Sequence, residues 1–282
     1  MEFIRTLDVK FDVGDATRLS VESRSGTVAV RGDGGRSVRV EVVARLWAED
    51  DDEADDQAEL IRRAIQLEGD KVMVKTPALL RPRPFLFFGH SRPRVDYQIT
   101  VPTKTEAKID SRSGVIEVEA IAGPLRIDSS SGKVSVRDVT TDVEIQSRSG
   151  TVQVESIGGS LDAESRSGSM RIKGCGGDAS LEARSGSLTI ENVGGRLKAG
   201  TRSGSVKYEG GVHGSFDIDV TSGSVRLALN PDSHFFLDAE AISGSVTSDL
   251  RLREDGSGGR PPKDAPKVRI RTVSGGIHIA SN

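Results

Sequence analysis

The chain has 282 residues, of which 35% are hydrophobic and 4% aromatic, and its formal net charge is −3. This length suits one large domain or two ordinary ones. A charge so close to zero gives no general support for nucleic-acid binding, which requires a strongly basic face. The single cysteine, Cys175, excludes an internal disulfide. A core with so few aromatic residues favours thin stacked layers over a bulky globule.

No run of about 18 apolar residues is available to span a bilayer. The first ten residues also lack the charged-then-apolar layout of a signal peptide. The sequence as printed therefore predicts a cytoplasmic protein. A chain from which an export signal has been removed would instead belong to the cell envelope.

Residues 1–106 are predicted to form an irregular N-terminal β region that is continuous with the repeats that follow. Leu19–Val30 contains a first copy of the repeat, and Val38–Trp47 reads as a strand. A helix is predicted next, because Ala58, Ile61 and Ile65 have helical spacing behind an acidic run that complements the helix dipole. The acidic run lacks the alternating ligands of a calcium loop, so it indicates a helix start and no metal site.

A segment rich in arginine and phenylalanine, RPRPFLFFGHSRPR, comes next. Its prolines prevent regular structure. Basic residues around aromatic ones suit an anionic membrane surface or the groove of a partner protein. In the alternative interpretation, the phenylalanines fold back and cap the open end of the repeats. The candidate contact residues are Arg81, Arg83, Phe85, Phe87, Phe88, Arg92 and Arg94.

From residue 107 to residue 282 the sequence is dominated by an 18-residue repeat. Each copy reads as two short alternating strands joined by a tight Ser-Gly corner, where glycine supplies a positive φ at low cost. Such copies bury their apolar faces only by stacking. The sequence thus predicts an all-β parallel β-helix, or β-solenoid, with one short helix near the N-terminus. The rule for parallel connections favours a right-handed coil as the hypothesis for its hand. The regular Ser-Gly pairs begin at Ser113, Ser131, Ser149, Ser167, Ser185 and Ser203, and looser copies begin at Ser222, Ser243 and Ser274.

Stacking places equivalent residues of successive copies above one another, and arginine precedes most of the Ser-Gly pairs. Acidic residues stand two positions earlier, so one interpretation is a solvated ladder of salt bridges. The other is an arginine stripe that grips an anionic polymer or lipid headgroups. The candidates for this anionic-ligand ladder are Arg112, Arg148, Arg166, Arg184 and Arg202, with Arg24 in the first copy. A separate column alternates in sign and indicates control of register: Glu119, Arg137, Glu155, Lys173 and Glu191.

Near the C-terminus, Asp255–Pro266 reads as an exposed loop rich in glycine and proline. The chain then returns for a last strand pair, VRIRTVSGGIHIA. We expect this last copy to close the C-terminal coil.

No residues stand out as catalytic, metal-binding or cofactor-binding. The carboxylates of the repeats belong to columns that recur in other coils, whereas glycosidases need two carboxylates that face one cleft. The four histidines show no metal spacing, and Cys175 takes an inward position that indicates a small buried hydrophobe. We therefore expect a protein that is not an enzyme and needs no cofactor.

The segment VDYQITVPTKTEAKIDSRSG, followed by coils of the form S-R-S-G-x-V-x-V, resembles the bacterial "putative adhesin" family of β-strand repeats. The resemblance extends over nearly the whole chain. It implies a parallel β-helical fold, no known catalytic activity and frequent association with the cell envelope. The family supplies no binding residues to carry over.

Together these features predict a non-enzymatic scaffold or binding protein. Its expected partner is a protein or a cell-envelope component, with peripheral membrane contact through the segment rich in arginine and phenylalanine, and no nucleic acid. One alternative is a structural protein that polymerises end to end. A carbohydrate-active enzyme is the least favoured alternative.

Overall fold

The computed structural model describes residues 1–78, 93–230, 233–249 and 265–282. The chain divides into an N-terminal unit, Met1–Thr141, and a C-terminal unit, Asp142–Asn282. The N-terminal unit contains one helix, α1 (Asp51–Arg63), and the strands β1 (Glu2–Asp12), β2 (Arg18–Ser23), β3 (Thr27–Asp33), β4 (Ser37–Trp47), β5 (Ile65–Glu68), β6 (Lys71–Lys75), β7 (Arg94–Pro102), β8 (Glu106–Ser111), β9 (Gly114–Glu119) and β10 (Leu125–Val139).

The described part of the C-terminal unit is built entirely from strands and their connections. These strands are β11 (Val143–Ile157), β12 (Leu161–Cys175), β13 (Ala179–Ser185), β14 (Leu188–Val193), β15 (Leu197–Ser203), β16 (Val206–Gly210), β17 (Phe216–Ser222), β18 (Val225–Leu229), β19 (Phe236–Ser243), β20 (Val246–Ser248), β21 (Lys267–Ser274) and β22 (Ile277–Ser281).

The 18-residue repeat is the structural repeat of the C-terminal unit. Val143 pairs in parallel with Leu161, and Leu161 pairs with Ala179, each 18 residues further on. Alternate residues of these strands are buried, because each strand turns one face toward the axis of the coil. The predicted all-β parallel solenoid with 18-residue coils and one short helix is thereby confirmed. The hand of the coil stays a prediction.

The core of the C-terminal unit consists of columns of inward side chains. One column alternates large and small residues, so that each alanine makes room for its larger neighbours: Ile145, Ala163, Leu181, Ala199 and Ile218. A second column on the opposite strand face contains larger residues throughout: Val152, Met170, Leu188, Val206 and Val225. Every one of these side chains is buried, so that stacking supplies the apolar burial that no single coil achieves.

In the N-terminal unit the coils do not stack in the order of the sequence. The coil of β2 and β3 pairs on one side with β8 and β9, which follow the expected order. On its other side it pairs with β6 and β7. Beyond β7 the pattern becomes antiparallel, through β4 and then β1, and β5 pairs antiparallel with β6. The predicted division at residue 106 into irregular and regular regions stays a prediction.

Helix α1 begins where the acidic run predicts it. Asp50 is the N-cap, and its carboxylate accepts a hydrogen bond of 2.8 Å from the Glu53 backbone N–H. Ala58 and Ile61 are buried on the helix, as their spacing predicts. Ile65 is also buried, but it lies in β5, because the helix ends at Arg63 and the chain then pairs with β6.

Tyr97 on β7 is the largest buried polar side chain among the described residues of the N-terminal unit. Its hydroxyl shares a hydrogen bond of 3.0 Å with the hydroxyl of Thr76. Burial raises the pKa of Tyr97 to about 12, although the hydrogen bond to Thr76 acts in the opposite direction. Its phenol therefore stays neutral in the folded chain at pH values where an unfolded chain ionises it.

The raised pKa of Tyr97 predicts a loss of stability in alkali. Above the ordinary tyrosine pKa of 10.0, the unfolded state releases this proton while the folded state keeps it until about pH 12. The free energy of unfolding should fall by about 2–3 kcal/mol across that window because of Tyr97 alone. Urea titrations at a series of pH values measure this fall, and Tyr97→Phe should remove it. An equal alkaline loss in both proteins would contradict the assignment, because lysines and Tyr208 titrate alike in each.

Candidate binding surface

Four arginines of the C-terminal unit, Arg148, Arg166, Arg184 and Arg202, occupy one position in successive coils, and we call them the arginine column. The residue before each of them is small and buried, and alternation along the strand turns the arginine outward. Ser147 pairs with Ser165 and Ser149 pairs with Ser167, so the arginines between them are stacked. Neighbouring strands lie about 4.8 Å apart, so the four Cα atoms span about 14 Å.

All four arginines are exposed, and among the described residues none of them has an ion pair or a side-chain hydrogen bond. The positions two residues before the arginines carry Gln146, Glu164, Glu182 and Gly200, and two of these side chains have other partners. Glu182 accepts a hydrogen bond of 2.7 Å from Lys198, and the equivalent Gln146 donates to Glu144. The salt-bridge ladder that the sequence suggests is therefore not formed by these arginines. Glu182 pairs with Lys198 instead, and the positions before Arg148 and Arg202 carry no acid.

Small polar residues lie between the arginine column and the corner glycines and continue beyond those glycines. Ser167, Ser185 and Ser203 follow the arginines and are exposed. Each is followed by a glycine with a positive φ, such as Gly186 at +136°. Beyond the glycines comes a column of hydroxyl residues: Thr151, Ser169, Ser187 and Ser205. The corner of the coil thus presents guanidinium groups and hydroxyls with no carboxylate among them.

The unneutralised column carries a repulsive energy that an anion would relieve. Two unit charges 4.8 Å apart repel by about 1 kcal/mol in water, and salt reduces this further. Guanidinium groups bind phosphate, sulfate and carboxylate in a two-pronged geometry. A chain of such anions laid along the column would replace three repulsive contacts between neighbouring arginines with attractive ones.

The column position changes character in the later coils. It is taken by Thr221, and then by Val273 and Ile242, whose exposed fractions are 47% and 73%. In the N-terminal unit the same position carries Arg24 and Arg112, which are exposed, and then Ser130. The structure therefore brings together four of the five predicted ladder residues, and it places Arg112 beside Arg24 in the other unit.

The segment rich in arginine and phenylalanine lies almost entirely outside the described residues. This applies to Arg81, Arg83, Phe85, Phe87, Phe88 and Arg92, whose role stays a prediction. Arg94 is described at the start of β7, where its guanidinium is 3.0 Å from the Asp96 carboxylate. The Arg94 guanidinium is thus paired with a carboxylate of the same chain, whereas the arginines of the column have no ion pair among the described residues.

The described residues include no cluster of three or more histidine, cysteine, aspartate or glutamate side chains that could hold a metal ion. Cys175 is buried, as its inward position predicts, and its thiol contacts the carbonyl oxygen of Gly159 at 3.5 Å. Burial raises the pKa of the Cys175 thiol, so it is a weaker nucleophile than an exposed cysteine at neutral pH. No helix in the described part of the chain is long and apolar enough to cross a membrane.

Sequence reasoning missed one charged surface, the outward face of β19. Asp238 and Glu240 project from this strand, and the basic residues Arg269 and Arg271 oppose them from β21. The signal is present in the sequence, since FLDAEAIS and KVRIRTVS alternate apolar residues with opposite charges. It was missed because the two strands are neighbours in space but are not consecutive 18-residue copies.

The fold and the charged corner define a repeat protein of the parallel β-solenoid class. The chain belongs to the Toastrack DUF4097 family, whose sequence model matches residues 16–280. This confirms the resemblance to the bacterial "putative adhesin" family of β-strand repeats. No curated protein matches the chain.

Two solved structures are similar to the chain over nearly its full length. One is a "putative cell adhesion protein" from Clostridium sporogenes ATCC 15579, with 13% identity, a TM-score of 0.28 and coverage of 100% of both chains. The other is a "putative adhesin" from Bacteroides fragilis NCTC 9343, with 13% identity, a TM-score of 0.30 and coverage of 99% of this chain and 97% of the other. TM-scores this low support no further statement about this protein.

Proposed function

We propose that the protein is a non-enzymatic solenoid scaffold whose arginine column binds a linear anionic polymer of the bacterial cell envelope. The observation that carries the proposal is the set of four exposed arginines in successive coils, none of which has an ion pair among the described residues. Other surface arginines of this unit have a carboxylate partner, as Arg196 has Asp178 at 2.7 Å. The four arginines of the column have no such partner among the described residues, so their guanidinium charges are available to a ligand.

A polymer suits this column better than a small anion. The arginines are in line and evenly spaced, so a ligand with regularly repeated phosphate, sulfate or carboxylate groups meets them one after another. Each exposed charge pair contributes only about 0.2–1 kcal/mol. A single anion bound by one or two arginines is therefore held weakly, whereas a polymer adds the contributions of four. The stacked strands fix the spacing, which is the role of a scaffold.

Binding of this kind requires no chemical step. The carboxylates of the described repeats recur in columns, and the thiol of Cys175 is buried with a raised pKa. These features support a non-enzymatic role. The cytoplasmic location of the printed sequence stays a prediction, and an exported form of the chain would meet its ligand in the envelope.

The segment from Arg81 to Arg94 remains a proposed second contact, with a protein partner or an anionic membrane surface. It follows β6 and precedes β7, which pair in parallel with β2 and β3. Its composition of phenylalanines flanked by arginines supports this proposal.

Replacing all four arginines of the column by glutamine should weaken polyanion binding by roughly tenfold to a hundredfold, because four weak charge pairs are lost together. Heparin serves as the probe, and isothermal titration calorimetry at several salt concentrations gives the affinity and its salt dependence. The wild-type affinity should fall steeply with salt, and that of the variant should fall less.

The matched control removes the same number of positive charges from the strands that follow the Ser-Gly corner in the same unit. Arg171, Lys173, Lys207 and Arg226 are exposed, and their replacement by glutamine should change heparin affinity by less than about threefold, since remote exposed charges are screened. An equal loss in both variants would reduce the effect to net charge and refute the assignment to the column. Undiminished binding by the column variant would also refute it.

A further inference from the structure

Within the described residues, the C-terminal unit ends in a coil whose strands are paired on one side only. Among the described residues, β19 pairs only with β21, and β20 pairs only with β22. The inner strands of this unit, β12 to β18 together with β21 and β22, have parallel neighbours on both sides. The backbone of β19 therefore presents a row of N–H and C=O groups that no described strand engages, which is a template for another strand.

The inward side chains of this terminal coil are incompletely covered. Leu237, Ala239 and Ala241 are half-buried, and Val246 on β20 is 44% exposed. At the equivalent positions one coil further in, Val268 and Ile270 are fully buried. The difference arises because each inner coil is covered from both sides, so one further strand would bury the apolar face of β19.

The outward charges alternate in sign from coil to coil as this edge is approached. Asp217 and Asp219 on β17 oppose Arg269 and Arg271 on β21. On the far side of β21, Arg269 opposes Asp238, with 3.6 Å between the guanidinium and the carboxylate. Lys267 lies 3.4 Å from the same carboxylate. The order acidic, basic, acidic ends with an acidic strand at the edge, so the next strand in the series would be basic.

We infer that the free edge of β19 binds a β-strand of a partner protein in which apolar and basic residues alternate. The backbone of that strand would complete the hydrogen bonds of β19, as in other cases of strand addition. Its apolar side chains would cover Leu237 and Ala239, and its basic side chains would face Asp238 and Glu240. Cross-strand pairs of opposite charge contribute roughly 0.2–1 kcal/mol each. Because the backbone hydrogen bonds are the same for any added strand, these charge pairs determine which strand binds most tightly.

A second copy of the same edge does not fit this surface. It would bring Asp238 and Glu240 against another pair of carboxylates, and like charges on opposed strands are destabilising. In the N-terminal unit, β5 carries Glu68 and supplies no run of basic residues. The inference concerns a surface separate from the arginine column, so it stands or falls independently of the proposed polyanion binding.

The chain itself supplies the probe for this inference. A fluorescently labelled peptide KVRIRTVS, which copies Lys267–Ser274, has the alternation that already pairs with β19 on its inner side. Fluorescence anisotropy should detect its binding to the full chain, and the charge-reversed peptide EVDIETVS should bind at least tenfold more weakly. Amides of β19 should gain protection from hydrogen exchange when the first peptide is bound.

The variant Asp238→Asn with Glu240→Gln should weaken peptide binding at least fivefold. The matched control, Asp217→Asn with Asp219→Asn, removes the same charge from β17, which β15 and β21 already cover, and should leave the affinity within about twofold.

Three results would overturn the inference. Equal binding of the two peptides would show that charge does not select the strand. Undiminished binding of a peptide with N-methylated alternate amides would show that no strand is added. Concentration-dependent dimerisation in sedimentation velocity that the Asp238 and Glu240 variant abolishes would identify a second copy as the occupant.

Discussion

A Gly186→Ala variant is expected to lose about 3–5 kcal/mol of folding free energy, which is a large part of the stability of an ordinary domain. Gly186 has φ +136°, a conformation that residues with a Cβ rarely adopt. A Cβ at this position would overlap the carbonyl oxygen of Gly168 in the adjacent coil. The backbone at Gly186 cannot move away from Gly168, because the backbone N–H of Gly186 also donates to the Ser203 carbonyl at 2.9 Å.

Gly200→Ala is the matched control for this variant. Gly200 lies on β15 in the same unit, its φ is not positive, and the nearest atom to an added Cβ is the Asp219 carbonyl oxygen at 3.9 Å. We expect its free energy of unfolding to stay within about 0.5 kcal/mol of the wild-type value. Urea denaturation followed by circular dichroism measures both variants. Similar stabilities for the two would show that the corner tolerates a side chain.

Phe216→Ala is expected to destabilise the chain by about 3–5 kcal/mol through the cavity it leaves. Phe216 is 1% exposed, and its ring packs edge-on against that of Tyr208, with 4.8 Å between the centroids. Such aromatic pairs contribute about 0.5–1.5 kcal/mol beyond the area they bury. The hydroxyl of Tyr208 donates to the Gly211 carbonyl at 2.5 Å, so the neighbouring ring is anchored and does not fill the vacated space.

Phe216→Leu separates the loss of the ring from the loss of volume. Leucine stands at the equivalent position of the preceding coil, where Leu197 pairs with Phe216, so we expect it to cost less than about half as much as alanine. Thermal unfolding followed in the far and near ultraviolet measures both variants. A Phe216→Leu variant as unstable as Phe216→Ala would contradict the cavity argument and assign the effect to the aromatic pair.

The regular part of the fold could be predicted because its determinants lie in each repeat. The alternation around Val143 specifies which side chains point inward, and the glycine of each corner permits the turn. The stacking order at the ends could not be predicted in this way, because it depends on contacts between coils that are distant in the sequence. Phe216 pairs with Val268, 52 residues further on, and Leu237 pairs with Val268 from the other side.

The last sequence copy was expected to close the C-terminal coil, yet the structure places β21 and β22 one coil further in. Charge gives the physical reason. If β19 followed β17 directly, Asp238 and Glu240 would oppose Asp217 and Asp219, and like charges on opposed strands are destabilising. Insertion of Arg269 and Arg271 between them turns these repulsions into attractions.

The candidate site could be predicted in position but not in pairing. The spacing of the repeat places Arg148, Arg166 and the later arginines in one column, and the structure contains that column. The expected acidic partners were inferred from distance along the strand alone. The structure instead pairs the Glu182 carboxylate with Lys198 of the neighbouring strand at 2.7 Å, a diagonal cross-strand contact that spacing along a single strand does not reveal.

The inserted position of β21 and β22 has a consequence for the order in which the chain is assembled. During synthesis β19 and β20 leave the ribosome before the coil that must lie beneath them. They have no native place to dock until β21 and β22 have been made, because their acidic face is repelled by that of β17. Growth of the solenoid therefore cannot simply follow translation coil by coil. The pairing of β21 with β17 joins Val268 to Phe216, 52 residues apart in the sequence, and such non-local pairing is slow compared with local pairing.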